Sequence, residues 1–560
     1  MARLASLAAA AALLAVTLAP AGALRAAADG PGYAALVALF EEYVSWRDAQ
    51  AAGTVDHGAA AVARRTRELL AFQDRLEAID PSGWPRGQEV DWFAVRSALD
   101  QHEFLLRVSR PWARDPGYYV DRMLRLAFTT LPVDGEALAT LRERLAAIPA
   151  LVESAQQNLT DVAADYADLA IHNLVTADGV GHGHPYRETP PPGVLGWYAD
   201  LLGRAQREQP ELVPDIERAR AAIAALHAWL VERRPSMTAQ AGVGRELLDW
   251  YLLHVKYMPY SSDQVVTLAQ RELDRTWAFL ALERHRNRDL PELELPASRA
   301  EYEARIAAVD AAVRAFLVEQ DFISIPEHIP TDFREMGFNV PWIERPSGPN
   351  YWEQVQYRDP SPDHWHAVIP GHRFDARVME KLEHPIRRHF RDGGRAEGWA
   401  LYLEEAPLQL GFYDSRPRTR ELIYNFAVFR AARTLGDVWL QRNEISTRGA
   451  VEYWMATTPW LDENVARVDA EIYLRRPPGY GLGYVIGGFQ MYRLLADRHR
   501  QLGEAFSLRA FHDEFMTAGW IPIALIRYEM TGLDDELQRF RQRVRLEALL
   551  PSTRPAAPAD

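Results

Sequence analysis

Residues 33–46 read YAALVALFEEYVSW, with apolar positions recurring at three- and four-residue intervals. That spacing gathers them on one face of an α-helix. The same rhythm returns in RTRELLAFQDRLEAI (65–79), GEALATLRERLAAIPALVESAQQNL (135–159), ELVPDIERARAAIAALHAWLVERR (211–234) and SSDQVVTLAQRELDRTWAFLALERHR (261–286). In the last of these Ser262 is placed to cap the first turn. Helical periodicity reaches about Leu317 and, after an interruption, resumes and holds to about Leu549. The fold class read from this pattern is mainly α: a large helical domain, bilobed around a central cleft.

Two stretches break the rhythm. Residues 172–196, HNLVTADGVGHGHPYRETPPPGVLG, are rich in Gly, Pro and His and read as a surface loop, in which His182 and His184 are more readily solvated than metal-bound. Residues 325–363 hold short pieces such as GFNVPWI and YWEQVQY between prolines, preceded by FISI (322–325). They are expected to form short strands or an irregular shelf ahead of the motif described below.

The 560-residue chain is 48% hydrophobic and 25% charged, enough to bury a large core. Its net charge of -14 and lack of any long Lys/Arg run argue against nucleic acid or an anionic membrane, since both are polyanions. The expected partner is a peptide or small-molecule substrate; the oligomeric state is left open. At the N-terminus Arg3, an apolar run from Leu4 to Leu18 and the small residues around Ala23 and Ala28 have the layout of a cleaved signal peptide over 1–28. The run is shorter than the roughly 20 residues that span a bilayer. A periplasmic or secreted protein is expected, with one domain over 29–549 and a disordered Pro/Ala-rich tail over 550–560. The sequence contains no cysteine, which excludes disulfides, a lipidated cysteine and a thiol nucleophile.

The chemistry is concentrated in HWHAVIPGHRFD (364–375). His366 and His372 are six residues apart, about 120° around an ideal helix, too far to share a metal without a distortion. Pro370 and Gly371 supply one: a helix kinked there could converge the two imidazoles. Downstream, RAEGWALYLEEAPLQLGFY (395–413) is helical in period, with Glu397 and Glu404 on nearly the same face. A glutamate on a second helix commonly completes a three-residue zinc site. Without a metal, the same residues read as histidines at a helix break and glutamates on a solvated face.

HAVIPGH (366–372) followed by EGWALYLE (397–404) resembles the paired signatures HEAxPGHHLQ and EGWALYAE of the domain of unknown function 885 family. RPWARDPGYYVD (110–121), PPGYGLGYVIG (477–487) and FSLRAFHDEFMTAGWIPIALI (506–526) are similar to further segments of that family. The resemblance implies a largely helical, zinc-dependent, peptidase-like hydrolase with His366, His372 and Glu397 as metal ligands.

The departures fall at polar positions. Ala367 stands where the family has its glutamate, Arg373 replaces a histidine, Asp375 replaces a glutamine, and Tyr480 and Gly481 occupy the neighbourhood of a further glutamine. A methyl group cannot take a proton from water, and a general base commonly contributes a factor of roughly 10² to 10⁴. Glu404, Asp375 and His364 are the candidates to replace it, and Tyr484, in a tyrosine cluster with Tyr473 and Tyr480, is a candidate oxyanion donor. Asp375 could alternatively orient the His372 ring. His512, beside Phe511 and Phe515, reads as a packed core histidine. Two functional readings follow: a metallohydrolase with altered catalysis on peptide or amide bonds, or a noncatalytic peptide- or small-molecule-binding protein on a degenerate metallopeptidase-like fold.

Overall fold

The periodic segments fold as helices. The computed structural model describes residues 32–550 apart from 52–55, 177–184, 186, 188, 338–339 and 346–347. The segment expected to be a signal peptide, residues 551–560 of the tail, His182 and His184 lie outside the described residues. In chain order, the helices that build or flank the site are α1 (Tyr33–Ala51), α2 (Arg86–Phe104), α3 (Arg245–His254), α4 (Ser262–Arg286), α5 (Tyr351–Arg358), α6 (His372–Met379), α7 (Gly393–Gln409), α8 (Pro417–Gln441), α9 (Leu482–Leu502) and α10 (Leu508–Thr517). Among the described residues there is no β-strand, and one isolated bridge joins Ala163 to Ala239. A continuous apolar core runs from Leu36 to Phe540. No helix among the described residues is long and apolar enough to cross a membrane.

Local chemistry corrects three expectations. The cap of α4 is Ser261, not Ser262: the Ser261 side chain accepts from Gln264 N while Gln264 accepts from Ser261 N, a reciprocal capping box. Ahead of the motif the irregular-shelf alternative holds over most of the described residues of 322–349, and the strand alternative does not. YWEQVQY lies in α5, started by a second capping box between Asn350 and Glu353, and FISI has no ladder partner. Extended-looking aromatic pieces became helix because the cap satisfies the first-turn amides and Tyr351 and Val355 then face the core. The motif is also not a kinked helix. His364–Val368 form a π-helical turn, the chain is extended at Ile369, and α6 begins afresh at His372.

Two helix pairs frame the site. α4 packs lengthwise on α8, and α7 on α9. The second pair approaches through glycine: a Cβ on Gly398 would lie 2.6 Å from the backbone of Gly487, and one on Gly487 would lie 2.5 Å from Gly394 O. Side chains at either position would push α7 outward, so these glycines set the depth at which Glu397 sits.

Candidate metal centre

The break between the π-turn and α6 brings the two histidines together. A Cβ on Gly371 would lie 1.9 Å from His366 O, so the backbone can fold back on itself only with glycine there. Trp399, on α7, donates its indole N–H to Pro370 O at 2.9 Å and ties the break to the second helix. EGW therefore carries three roles in succession: Glu397 faces the histidines, Gly398 allows the α9 contact and Trp399 holds the turn.

His366 Nε2 and His372 Nε2 stand 3.2 Å apart, and Glu397 Oε2 lies 3.7 Å from the first and 3.4 Å from the second. Four tetrahedral ligands at zinc distances of about 2.0–2.2 Å are separated from one another by roughly 3.4 Å. The triangle fits. Glu397 Oε2 is buried with no hydrogen-bond partner among the described residues, an arrangement costly for a carboxylate unless a cation completes it. Its other oxygen accepts the Tyr480 hydroxyl at 2.8 Å. His366 and Glu397 have side chains 7% exposed, whereas that of His372 is 31% exposed, so the cluster opens to solvent on the His372 side. Both motif glutamates are buried, which removes the solvated-face reading.

The surroundings are strongly charged. His366 Nδ1 lies 2.7 Å from Glu404 Oε1, an oblique approach rather than one along the N–H direction. Glu404 Oε1 also accepts from Arg430 Nη2 at 3.0 Å, and that same nitrogen stands 3.5 Å from His366 Nε2. Burial, reinforced by Arg430, holds His366 below the usual histidine range. For His372 burial acts in the same direction but is outweighed by Glu397, which raises it. Burial would raise Glu397, yet His372, His366 and Arg430 together keep it well below the carboxylate range. Glu404 is likewise lowered against its burial, chiefly by Arg430.

The other expected site residues lie apart from the triangle. Asp375 is fully buried and paired with Arg395, so its carboxylate is directed at that guanidinium and makes no hydrogen bond to the His372 ring. His364 Nε2 contacts Asp310 Oδ1 at 3.0 Å. Arg373 donates to Met336 O. Tyr484 is buried with its ring 4.7 Å below the Arg430 guanidinium; burial and then the Glu397 charge push its phenol up to about 12. His512 is buried in the core as expected, between the Tyr402 hydroxyl and Phe322 O.

Two residues at the cluster were not singled out for it. Arg430 had a readable signal: with Arg433, at i and i+3, it stands in the mostly apolar helical run YNFAVFRAARTLGDVW (424–439), and both guanidiniums are buried. Tyr480 had a weaker one, its place near a motif glutamine.

A mainly α protein with a buried His–His–Glu triangle is thus defined by fold and site. Residues 364–530 match a family described as "Bacterial protein of unknown function (DUF885)". That span contains both halves of the paired motif, but not RPWARDPGYYVD. No curated protein matches the chain. Among solved structures, a "putative lipoprotein of unknown function" from Shewanella oneidensis is 15% identical with a TM-score of 0.68, covering 90% of this chain and 100% of that one. A "putative lipoprotein" from Colwellia psychrerythraea is 15% identical with a TM-score of 0.67, covering 90% and 99%. At that identity the likeness concerns the fold.

Proposed function

We propose that this chain is an exported, metal-dependent hydrolase of peptide or amide bonds, with His366, His372 and Glu397 holding a divalent ion, zinc by its donor set. The observation that carries the reading is the buried Glu397 Oε2, which has no hydrogen bond among the described residues and faces two imidazole nitrogens at ligand spacing. When bound, such an ion supplies Lewis acidity to a substrate carbonyl and to water. The chain's own residues do the rest. Tyr480 fixes the Glu397 carboxylate through Oε1, and Glu404 sets a negative charge 2.7 Å from His366 Nδ1, on the side of the ring away from the cluster. Arg430 keeps a permanent positive charge beside the cluster, suited to negative charge developing on a substrate oxygen.

A second reading, noncatalytic binding of a peptide or small molecule, is favoured by one feature. Ala367 offers no base, and the carboxylates of Glu404 and Asp375 and the ring of His364 are engaged with Arg430, Arg395 and Asp310. Export rests on the N-terminal sequence pattern; unlike a lipoprotein, the chain has no cysteine to carry a lipid.

Metal analysis of protein purified without chelator, combined with hydrolysis of a panel of short peptides and amides, tests the proposal. About one divalent ion per chain is expected, lost in His366→Ala, His372→Ala and Glu397→Ala, together with slow hydrolysis that disappears with the metal. A metal-free wild type overturns the metal centre. Bound metal with no turnover, while peptides still bind, selects the second reading.

A further inference from the structure

A cavity of about 400 Å³ lies between the N-terminal helices and the segments that precede α7 and α9. That is within the size range of small-ligand sites. None of His366, His372 or Glu397 lines it. Its walls are aromatic: Phe40 stacks on Phe390 at 5.8 Å, and Phe104 meets Tyr251 edge-on at 4.7 Å.

The polar groups are few and of one kind. The Tyr251 residue is 1% exposed and its hydroxyl has no hydrogen-bond partner among the described residues; the exposed Gln101 side chain approaches it without reaching hydrogen-bond geometry. A buried hydroxyl left in this way costs free energy unless something else completes it. Lys256, electrostatically coupled to Tyr251, has a side chain 10% exposed and donates one hydrogen bond to Asp392 at 3.0 Å, leaving two of its three N–H donors without a partner among the described residues. Arg391 stands exposed at the rim over the Trp520 ring and has no carboxylate partner among the described residues. The lining carries Arg47, Lys256 and Arg391 against the single carboxylate of Asp392, and Arg47 is itself paired with Asp48 at 2.9 Å. Arg391 is therefore the cation without a counter-charge among the described residues, and with the free donors of Lys256 it favours an anion in a chain of net charge -14.

We propose that this cavity is a second ligand site, taking a small carboxylate with an aromatic body: the ring packs between Phe40, Phe390 and Phe104, and the carboxylate accepts from Tyr251 and Lys256. The site stands independently of the metal centre and of the reading given above.

Binding of 3-phenylpropionate, followed by calorimetry and ligand-observed NMR on the full chain, tests it, with 3-phenylpropionamide as the neutral twin. Saturable binding is expected with Kd between about 10 µM and 1 mM. The amide, Tyr251→Phe and Arg391→Gln should each weaken binding, Tyr251→Phe by roughly tenfold, as for a hydrogen bond to a charged group. Tyr251→Phe removes only an oxygen without a partner, so its melting temperature should not fall, which separates lost binding from lost folding. Binding should survive His372→Ala. Absence of binding, equal affinity for the amide, no effect of Tyr251→Phe, or loss of binding in His372→Ala, which would put the carboxylate on the metal centre, each overturns the proposal.

Discussion

The α-carbon of Gly371 faces the carbonyl oxygen of His366 so closely that a Cβ there would lie 1.9 Å from it, with His366 C at 2.3 Å and Trp365 O at 2.6 Å. All three obstacles are backbone atoms, which cannot rotate away. Gly371→Ala must therefore open the turn and separate His366 from His372. The expected result is loss of bound metal, with a destabilisation of about 1–3 kcal/mol or more. Metal analysis and thermal unfolding of the variant check it; retained metal would mean that the turn can relax without parting the histidines.

Tyr480 and Glu404 each contact one of the proposed ligands, Glu397 and His366, without occupying the triangle. Tyr480→Phe frees Glu397 Oε1, and Glu404→Gln removes the charge behind His366. Each should weaken metal affinity by roughly 10- to 100-fold; Tyr480→Phe should do so with the melting temperature kept, whereas Glu404→Gln also takes the counter-charge from buried Arg430 and should lower it. Competition with a metallochromic chelator measures the change, and wild-type affinity in both variants would remove their bracing role.

Ala367, 4% exposed on the π-turn, stands where the family signature has a glutamate. Ala367→Glu should keep the metal and raise peptide or amide hydrolysis, by at most the roughly 10² to 10⁴ that a positioned base supplies. If wild type hydrolyses the same panel well and the variant does not exceed it, another group already takes the proton. Glu404, Asp375 and His364 are then the substitutions to make next.

His512 accepts from the Tyr402 hydroxyl at 2.9 Å through Nε2 and contacts Phe322 O at 2.6 Å through Nδ1, bonds that suit the neutral ring. Burial lowers its pKa to about 3. An unfolded chain takes up this proton as pH falls through about 6.5, whereas the folded one holds out until about 3. The contribution of His512 to stability is therefore complete above pH 6.5 and declines as pH drops towards 3. The stability gap between wild type and His512→Gln should shrink by of order 2 kcal/mol between pH 7 and pH 5. A gap independent of pH would show that the ring titrates normally in the folded protein.

Much of the architecture was legible before any coordinates. Three- and four-residue spacing marked most helices because burial of one face is written directly into local sequence. YWEQVQY, expected as an extended piece among prolines, is helix because the Asn350–Glu353 capping box starts α5. His366, His372 and Glu397 were identified by motif, and the need for a break between the histidines followed from helical geometry alone.

Local sequence could indicate that a break was needed, but not its form: a π-turn, an extended Ile369 and a new helix in contact with Trp399. Nor could it assign partners to the carboxylates. Glu404 meets Arg430 from α8, Asp375 meets Arg395 from α7, and Glu397 meets Tyr480 from the segment before α9. Periodicity determined the helical class, because it depends on residues within a few turns of one another, whereas the candidate ligand set came from the resemblance of its motifs to a family signature. The charge environment of those ligands was decided by tertiary packing, above all by the glycine contact between α7 and α9 and by the depth at which Arg430 is buried. Such pairings join residues tens of positions apart, and no local pattern encodes which of them will meet.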